Sequence, residues 1–501
     1  MSGPSTLETN RAHQHERRWL ILAVVALAQL MVVLDATIVN IALPSAQADL
    51  KFANDDRQWI VTAYALAFGS LLLLGGKIGD IFGRKWAFIG GLVGFAVASA
   101  IGGAADSFGV LVVSRALQGV FGALLAPAAL STLATAFTTP QERGRAFGIF
   151  GAVAGGGGAV GLLLGGALTE WASWRWCFFV NLFFAAIATV GALVLMRNEA
   201  NPDRPKIDVL GSVTAAAGLF LLVFGLSRTE TDSWSDRTAL ISIAVGIVLL
   251  VVFVLIQRRV AAPLLPLRIV LDRNRGGAFL AMGVTAVAMF GVFLFLTYFL
   301  QITKGFSPMQ SGLAFVPMIL FVLTGSILSN VKLLPILGAR RLITTGMLLG
   351  AVGLFFLGQL TAEDSYVAHV LPILPVMGFG FGLIFATSFN TATAGVARTD
   401  AGVASATVNT MQQVGGSIGT ALLSTIAAHA TTSYITAHPT AQGAIDGAVH
   451  GYTVAFRTAG SIFVVGAVVI FLLIRPHVRA TPEATATTEP AAPTPGVEAT
   501  A

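Results

Sequence analysis

Two ionisable residues sit inside strongly apolar stretches of this chain, and they are the first candidates for chemistry. Asp35 lies in QLMVVLDATIVNIAL and Arg115 in GVLVVSRALQGVFGAL. An ion within hydrocarbon costs several kcal/mol, so such residues usually carry a function or a fixed pairing. A carboxylate at depth can hold a proton or an organic cation, and a guanidinium beside it can tune that hold. If each stretch is a membrane-crossing helix, a rise of 1.5 Å per residue sets Asp35 about 12 Å and Arg115 about 9 Å from the same membrane face. The two can therefore meet. The alternative reading is structural: the pair fixes helix packing by hydrogen bonds. Asn40, Gln118, Asn390 and Gln412 also stand within apolar stretches. They are candidates for lining a cavity, although such amides more often pack or cap.

Other chemistries find little support. Cys177 is the single cysteine, so neither a disulfide framework nor a multi-cysteine metal site is available. The histidines fall in loops, tails and ends of apolar runs, without metal-ligand spacing. Gly76-Lys77 is followed by Ile78 rather than by the Ser or Thr of a nucleotide-binding phosphate loop. The one G-x-S-x-G match, Gly415-Gly416-Ser417-Ile418-Gly419, lies inside the apolar stretch 402–427 rather than at the strand-to-helix turn of a hydrolase. We expect no metal, cofactor or nucleotide, and no enzyme. Transport driven by an ion gradient is the leading option.

The elements that must position these residues are helices in a bilayer. Of 501 residues, 55% are hydrophobic and 11% charged, whereas a soluble domain carries about 25% charged residues. The mean hydropathy is +0.81. The net charge of +6 does not point to nucleic acid, because the bases cluster between apolar runs. A crossing needs about 20 apolar residues. Fourteen stretches qualify, near 19–43, 57–75, 86–105, 109–133, 145–169, 175–196, 208–228, 238–257, 277–301, 308–330, 341–361, 366–390, 402–427 and 452–474. With a cytoplasmic N-terminus and alternating crossings, only Lys51, Arg57, Arg175, Arg228, Arg237, Lys304 and Arg457 fall outside. All other Lys and Arg, apart from Arg115 within a span, face the cytoplasm, as the positive-inside rule requires. Trp19 to Leu43 is too long for the apolar core of a cleaved signal peptide, and both termini are placed in the cytoplasm. The stretch 258–275 reads as a cytoplasmic connection carrying a short interfacial helix. Residues 477–501, rich in Ala, Thr, Pro and Glu, read as a disordered cytoplasmic tail.

Short motifs sharpen this picture. Gly76-Lys77-Ile78-Gly79-Asp80-Ile81-Phe82-Gly83-Arg84-Lys85 resembles the loop signature G-x-x-x-D-x-x-G-R-[RK] of the major facilitator superfamily, matching at Gly76, Asp80, Gly83, Arg84 and Lys85. Leu34 to Pro44 resembles the first-helix signature of that superfamily's fourteen-span drug–proton antiporters. Arg115-Ala116-Leu117-Gln118-Gly119 is similar to its fourth-helix signature, and Trp174 to Asn181 to the start of its sixth helix. One departure stands in the fifth helix. Gly151 with Gly155 and Gly161 with Gly165 repeat at the spacing that lets helices approach closely, and Gly166 follows. The antiporter signature places a proline where this chain has Leu162, so this helix should run straighter. Gly338-Ala339-Arg340-Arg341 echoes Gly83-Arg84-Lys85, as two related halves would.

The resemblance implies an all-α membrane protein of 14 transmembrane helices: a cytoplasmic N-terminal tail (1–18), a six-helix half (19–200), two inserted central helices (201–260), a second six-helix half (261–476) and the tail 477–501. It implies a secondary transporter of the bacterial cytoplasmic membrane, exporting amphipathic drugs or antibiotics by proton antiport through alternating access. Asp35 would bind the coupled proton with Arg115 setting its affinity, and the loop at Gly76 to Lys85 would serve as a conformational latch. A carrier for a specific metabolite, lipid or siderophore is the alternative within transport. A membrane-embedded enzyme would need converging catalytic groups, and a sensor would need a soluble output domain.

Overall fold

The computed structural model describes residues 6–53, 56–137, 139–196, 208–232, 236–260, 263–396 and 401–476. The tail 477–501 lies outside the described residues. Every regular element among them is helical. The helices are α1 (Thr6–Leu50), α2 (Arg57–Phe82), α3 (Arg84–Gly103), α4 (Phe108–Ala136), α5 (Pro140–Trp171), α6 (Trp176–Leu195), α7 (Val209–Asp232), α8 (Arg237–Gln257), α9 (Leu267–Val270), α10 (Arg273–Tyr298), α11 (Pro308–Ala314), α12 (Val316–Leu328), α13 (Leu334–Leu357), α14 (Ile373–Thr393), α15 (Ala401–Ala437) and α16 (Ala441–Leu473). Wider π turns run on from α10 at Phe299–Thr303, join α12 to α13 at Ser329–Leu333 and precede α14 at Tyr366–Val370.

Ten stretches among the described residues are long and apolar enough to cross a membrane. Their outward faces fit lipid rather than water. On α6, Phe183, Val190 and Val194 are exposed, while Asn181 on the same helix is buried. Apolar residues outside and polar ones inside is the arrangement that hydrocarbon solvent favours.

Helix ends differ from the hydropathy reading where the polar flanks also coil. The first helix starts at Thr6, not near residue 19, and α15 and α16 extend to Ala437 and from Ala441, past the apolar limits of 427 and 452. Hydropathy marks where hydrocarbon ends; backbone hydrogen bonds continue beyond it. The fifth helix is unbroken from Pro140 to Trp171, with Leu162 fully buried at the position of the family proline. The short α9 falls within the connection 258–275.

Packing repeats along the chain. Helix α4 packs on α2 and α3, while α1 packs on α4, α5 and α6 and α3 on α6. The same pairings recur for α14 on α12 and α13, α10 on α14, α15 and α16, and α13 on α16. Helices α7 and α8 pack together, and α7 touches α2 and α15. Gly83 (φ 93°) and Gly338 (φ 73°) each break the helical path immediately before a basic helix start. That positive φ is cheap only for glycine. The echo between the two loops is thus a shared backbone turn.

The two sets α1–α6 and α10–α16 meet along α2 and α15, where Gly69 lies against Gln413 and Val414, and again at the end of the bundle marked by Lys51. There Glu170 Oε2 of α5 accepts hydrogen bonds from Ser307 Oγ (2.5 Å) and Met309 N (3.0 Å) at the start of α11. Gln301 Nε2 donates to the Ile41 carbonyl (3.2 Å). The Arg57 guanidinium lies 4.8 Å from the Tyr298 ring centre.

Candidate functional site

Four helices converge on Asp35. It sits about two thirds of the way along α1, fully buried, and α4 brings Arg115 and Gln118 to it on one face, one turn apart. Gly119 allows this approach: a Cβ there would lie 2.4 Å from the Tyr64 carbonyl oxygen of α2. Arg115 Nη1 donates to Asp35 Oδ2 at 2.5 Å and to Gln118 Oε1 at 2.9 Å, and its Nε donates to the Ile60 carbonyl at 3.1 Å. Its Cζ stands 4.4 Å from the centre of the buried Tyr64 ring. The other carboxylate oxygen, Asp35 Oδ1, accepts from Gln118 Nε2 (2.7 Å) and from Asn181 Nδ2 of α6 (2.8 Å). Both amides also donate to Ser99 Oγ of α3, at 3.1 and 2.9 Å, and Ser99 Oγ donates to the Phe178 carbonyl at 2.8 Å.

Burying an ion pair costs several kcal/mol per charge, which only close pairing and full hydrogen bonding offset. Here the carboxylate accepts three N–H donors, the pattern of an ionised acid. Arg115 is 1% exposed and Asp35 0%, so neither charge is screened by solvent. The site can hold a single negative charge against a fixed positive one. Adding a proton to Asp35 would release the guanidinium from its strongest partner.

The other candidates scatter. Asn40 is buried, but its amide donates to the Ala36 carbonyl of its own helix at 3.3 Å. Asn390 is exposed and Gln412 half-buried on α14 and α15, and neither belongs to the Asp35 network. In the loop at Gly76 to Lys85, Lys85 Nζ donates to the Leu193 carbonyl near the end of α6 (2.9 Å), a contact within α1–α6 rather than across the bundle. Arg84 is half-buried, and a Cβ on Gly76 would meet Pro127 of α4. The side chain of Asp80 and the surroundings of Gly151 and Gly155 lie outside the described residues. Of the remaining α5 glycines, Gly161 and Gly165 pack on α1, where a Cβ would come within 2.0 Å of Thr37 Oγ1 and 2.7 Å of Ile38 Cγ1. A Cβ on Gly166 would meet the Pro308 carbonyl oxygen at 2.7 Å.

Sequence reading missed Asn181, Ser99 and Tyr64. Asn181 carried a signal, as the lone amide in the apolar run of α6; Ser99 and Tyr64 carried none.

The Major Facilitator Superfamily model matches residues 25–420, a span holding all the residues of the Asp35 network. The chain belongs to the Major Facilitator Superfamily. It is 46% identical over 481 residues to the puromycin resistance protein pur8 of Streptomyces alboniger, covering 95% of each chain. It is 38% identical over 428 residues to the cephamycin export protein CmcT of Amycolatopsis lactamdurans, covering 85% of this chain and 88% of that one. These two relatives are named as an antibiotic resistance protein and an antibiotic export protein. In fold it is similar to a bacterial homolog of the human lysosomal transporter Spinster, in an inward-facing and unoccupied conformation. The TM-score is 0.62 at 16% identity, over 91% of this chain and 97% of that chain. Membership gives a membrane-embedded, multi-span transporter of small molecules.

Proposed function

We propose that this transporter exports an amphipathic drug or antibiotic across the bacterial cytoplasmic membrane in exchange for protons, with Asp35 as the proton-binding group. The observation that carries the reading is the Asp35–Arg115 pair, buried at the meeting of five helices and bonded as an ionised acid. In an exporter of this kind, protonation of Asp35 removes the charge that pairs with Arg115 and so loosens α1 from α4. Deprotonation on the opposite side restores the pair, and the alternation couples proton entry to drug exit.

The fourteen-helix architecture supports alternating access. The 50-residue stretch Pro308–Leu357 is about 75 Å of helix at 1.5 Å per residue, more than two bilayer cores. Gly338 turns it within that length, so we read it as two crossings. Helices α2, α5 and α15, which pack among the apolar crossings, supply the remaining three. The halves are then 19–200 and 261–476, with 201–260 inserted, as the repeated packing supports. Placing both termini in the cytoplasm makes the Lys51 end the outer one, where Glu170 and Gln301 tie the halves together.

Efflux tests the function. Cells expressing the protein are loaded with ethidium or with puromycin, the compound named for the pur8 relative. We expect efflux that a protonophore stops and that Asp35→Asn abolishes at matched membrane abundance. Efflux of puromycin alone would mark a narrow self-resistance exporter, a reading favoured by relatives that each name one antibiotic. Protonophore-resistant efflux of either compound would refute proton coupling.

A further inference from the structure

Protonation of Asp35 raises a question of hydrogen-bond chemistry that its surroundings answer. A carboxylate only accepts, whereas a carboxylic acid must also donate. Each atom bonded to Asp35 is at present an N–H donor: Arg115 Nη1, Gln118 Nε2 and Asn181 Nδ2. A proton placed there meets no acceptor unless a neighbour rearranges, and a buried donor without a partner costs about 1–3 kcal/mol.

The available acceptors can be taken in turn. Gln118 Oε1 already accepts from Arg115 Nη1, so using it would strip the guanidinium of a second partner. Ser99 Oγ accepts from both amides and donates to the Phe178 carbonyl. The buried hydroxyls of Tyr64 and Thr62 have no hydrogen-bond partner and do not reach Asp35. Asn181 Oδ1 is also buried and without a partner, on the same side chain whose nitrogen lies 2.8 Å from Asp35 Oδ1. A half-turn of that amide exchanges the two atoms. While Asp35 is ionised, an oxygen facing it would be repelled, so the present orientation belongs to the charged acid.

We infer that Asn181 is a proton-responsive positioning residue: its amide donates to ionised Asp35 and turns over to accept from protonated Asp35. The inference rests on Asp35 being the proton-binding group. In the step, a proton from water adds to Asp35 Oδ1. The N–H···O bonds from Asn181 Nδ2 to Asp35 Oδ1 and to Ser99 Oγ break, an O–H···O bond to Asn181 Oδ1 forms, and Ser99 Oγ still accepts from Gln118 Nε2. Arg115 stays protonated and keeps Gln118 Oε1, the Ile60 carbonyl and the Tyr64 ring. The titratable groups that face Asp35 among the described residues are Arg115 from α4, Tyr64 from α2 and Cys177 from α6. The amide therefore makes the protonated acid habitable without a second titrating group.

The test is an acid-minus-neutral infrared difference spectrum of the purified protein in lipid. A carboxylic C=O band that Asp35→Asn removes identifies protonated Asp35. In wild-type protein made with asparagine labelled at its side-chain carbonyl, we expect a label-sensitive amide band to change with that acid band. The change should vanish in Asn181→Ser. In Asn181→Leu the acid band should move to higher frequency, because its O–H has lost its acceptor. An Asp35 acid band with no accompanying change in the labelled amide overturns the role of Asn181, and this needs no Asn181 variant to fold. Absence of any band removed by Asp35→Asn overturns the proton-binding reading itself.

Discussion

Losing both charges of the buried pair together should cost less than the sum of the two single losses. Arg115→Gln removes the guanidinium that donates to Asp35 Oδ2, Gln118 Oε1 and the Ile60 carbonyl. It leaves the Asp35 carboxylate buried with only the amides of Gln118 and Asn181. Leaving one charge of a buried pair uncompensated costs about 3–5 kcal/mol. Asp35→Asn should cost roughly as much, because the guanidinium is then the unpaired ion. In the double variant no buried charge remains, and neutral amides can still bond one another. Its loss should therefore fall short of the sum of the single losses by at least about 2 kcal/mol. The assay is reversible unfolding in mixed micelles, titrated with a denaturing detergent and followed by tryptophan fluorescence and helicity. Single losses that add to within about 0.5 kcal/mol would show that the charges do not depend on each other, and the coupling role of Arg115 would fall with them.

Two further predictions probe the frame around the site. Glu170→Ala removes the acceptor that joins α5 to Ser307 Oγ and Met309 N, worth about 0.5–1.5 kcal/mol per bond. A cysteine placed at Ser307, which by itself leaves only the Met309 N bond to Glu170, should then react faster with a water-soluble maleimide, against a quiet background because native Cys177 is buried; an unchanged rate would show that the Met309 bond does not hold the Lys51 end closed. The glycines should separate by position: Gly378→Ala puts a Cβ 2.0 Å from the Met318 carbonyl oxygen and should cost about 1–3 kcal/mol by forcing α12 from α14. Gly109→Ala, with nothing within 4 Å, should gain roughly 0.5–1 kcal/mol in the same detergent titration; equal effects would refute the close crossing.

What the sequence determined by itself were properties that a residue shares with its immediate neighbours. Apolar runs of sufficient length dictate residence in a bilayer. An ion within such a run stands out at once, which is why Asp35 and Arg115 were legible, and the motif around Gly83 carried the family. The tertiary structure decided which polar groups meet. Asn390, Gln412 and Asn181 are all amides in apolar helices, yet only Asn181 faces Asp35, from 146 positions away along the chain. Arg115 reaches Asp35 across 80 positions. Ser99 and the Ile60 carbonyl join the network through the rotation and register of α3 and α2. Those rotations are fixed by close helix crossings, such as Gly119 against the Tyr64 carbonyl, whose partners lie on other helices. Hydropathy measures transfer from water and is local; hydrogen bonding in a dry interior depends on angles and distances of tenths of an ångström, which only the packed bundle sets.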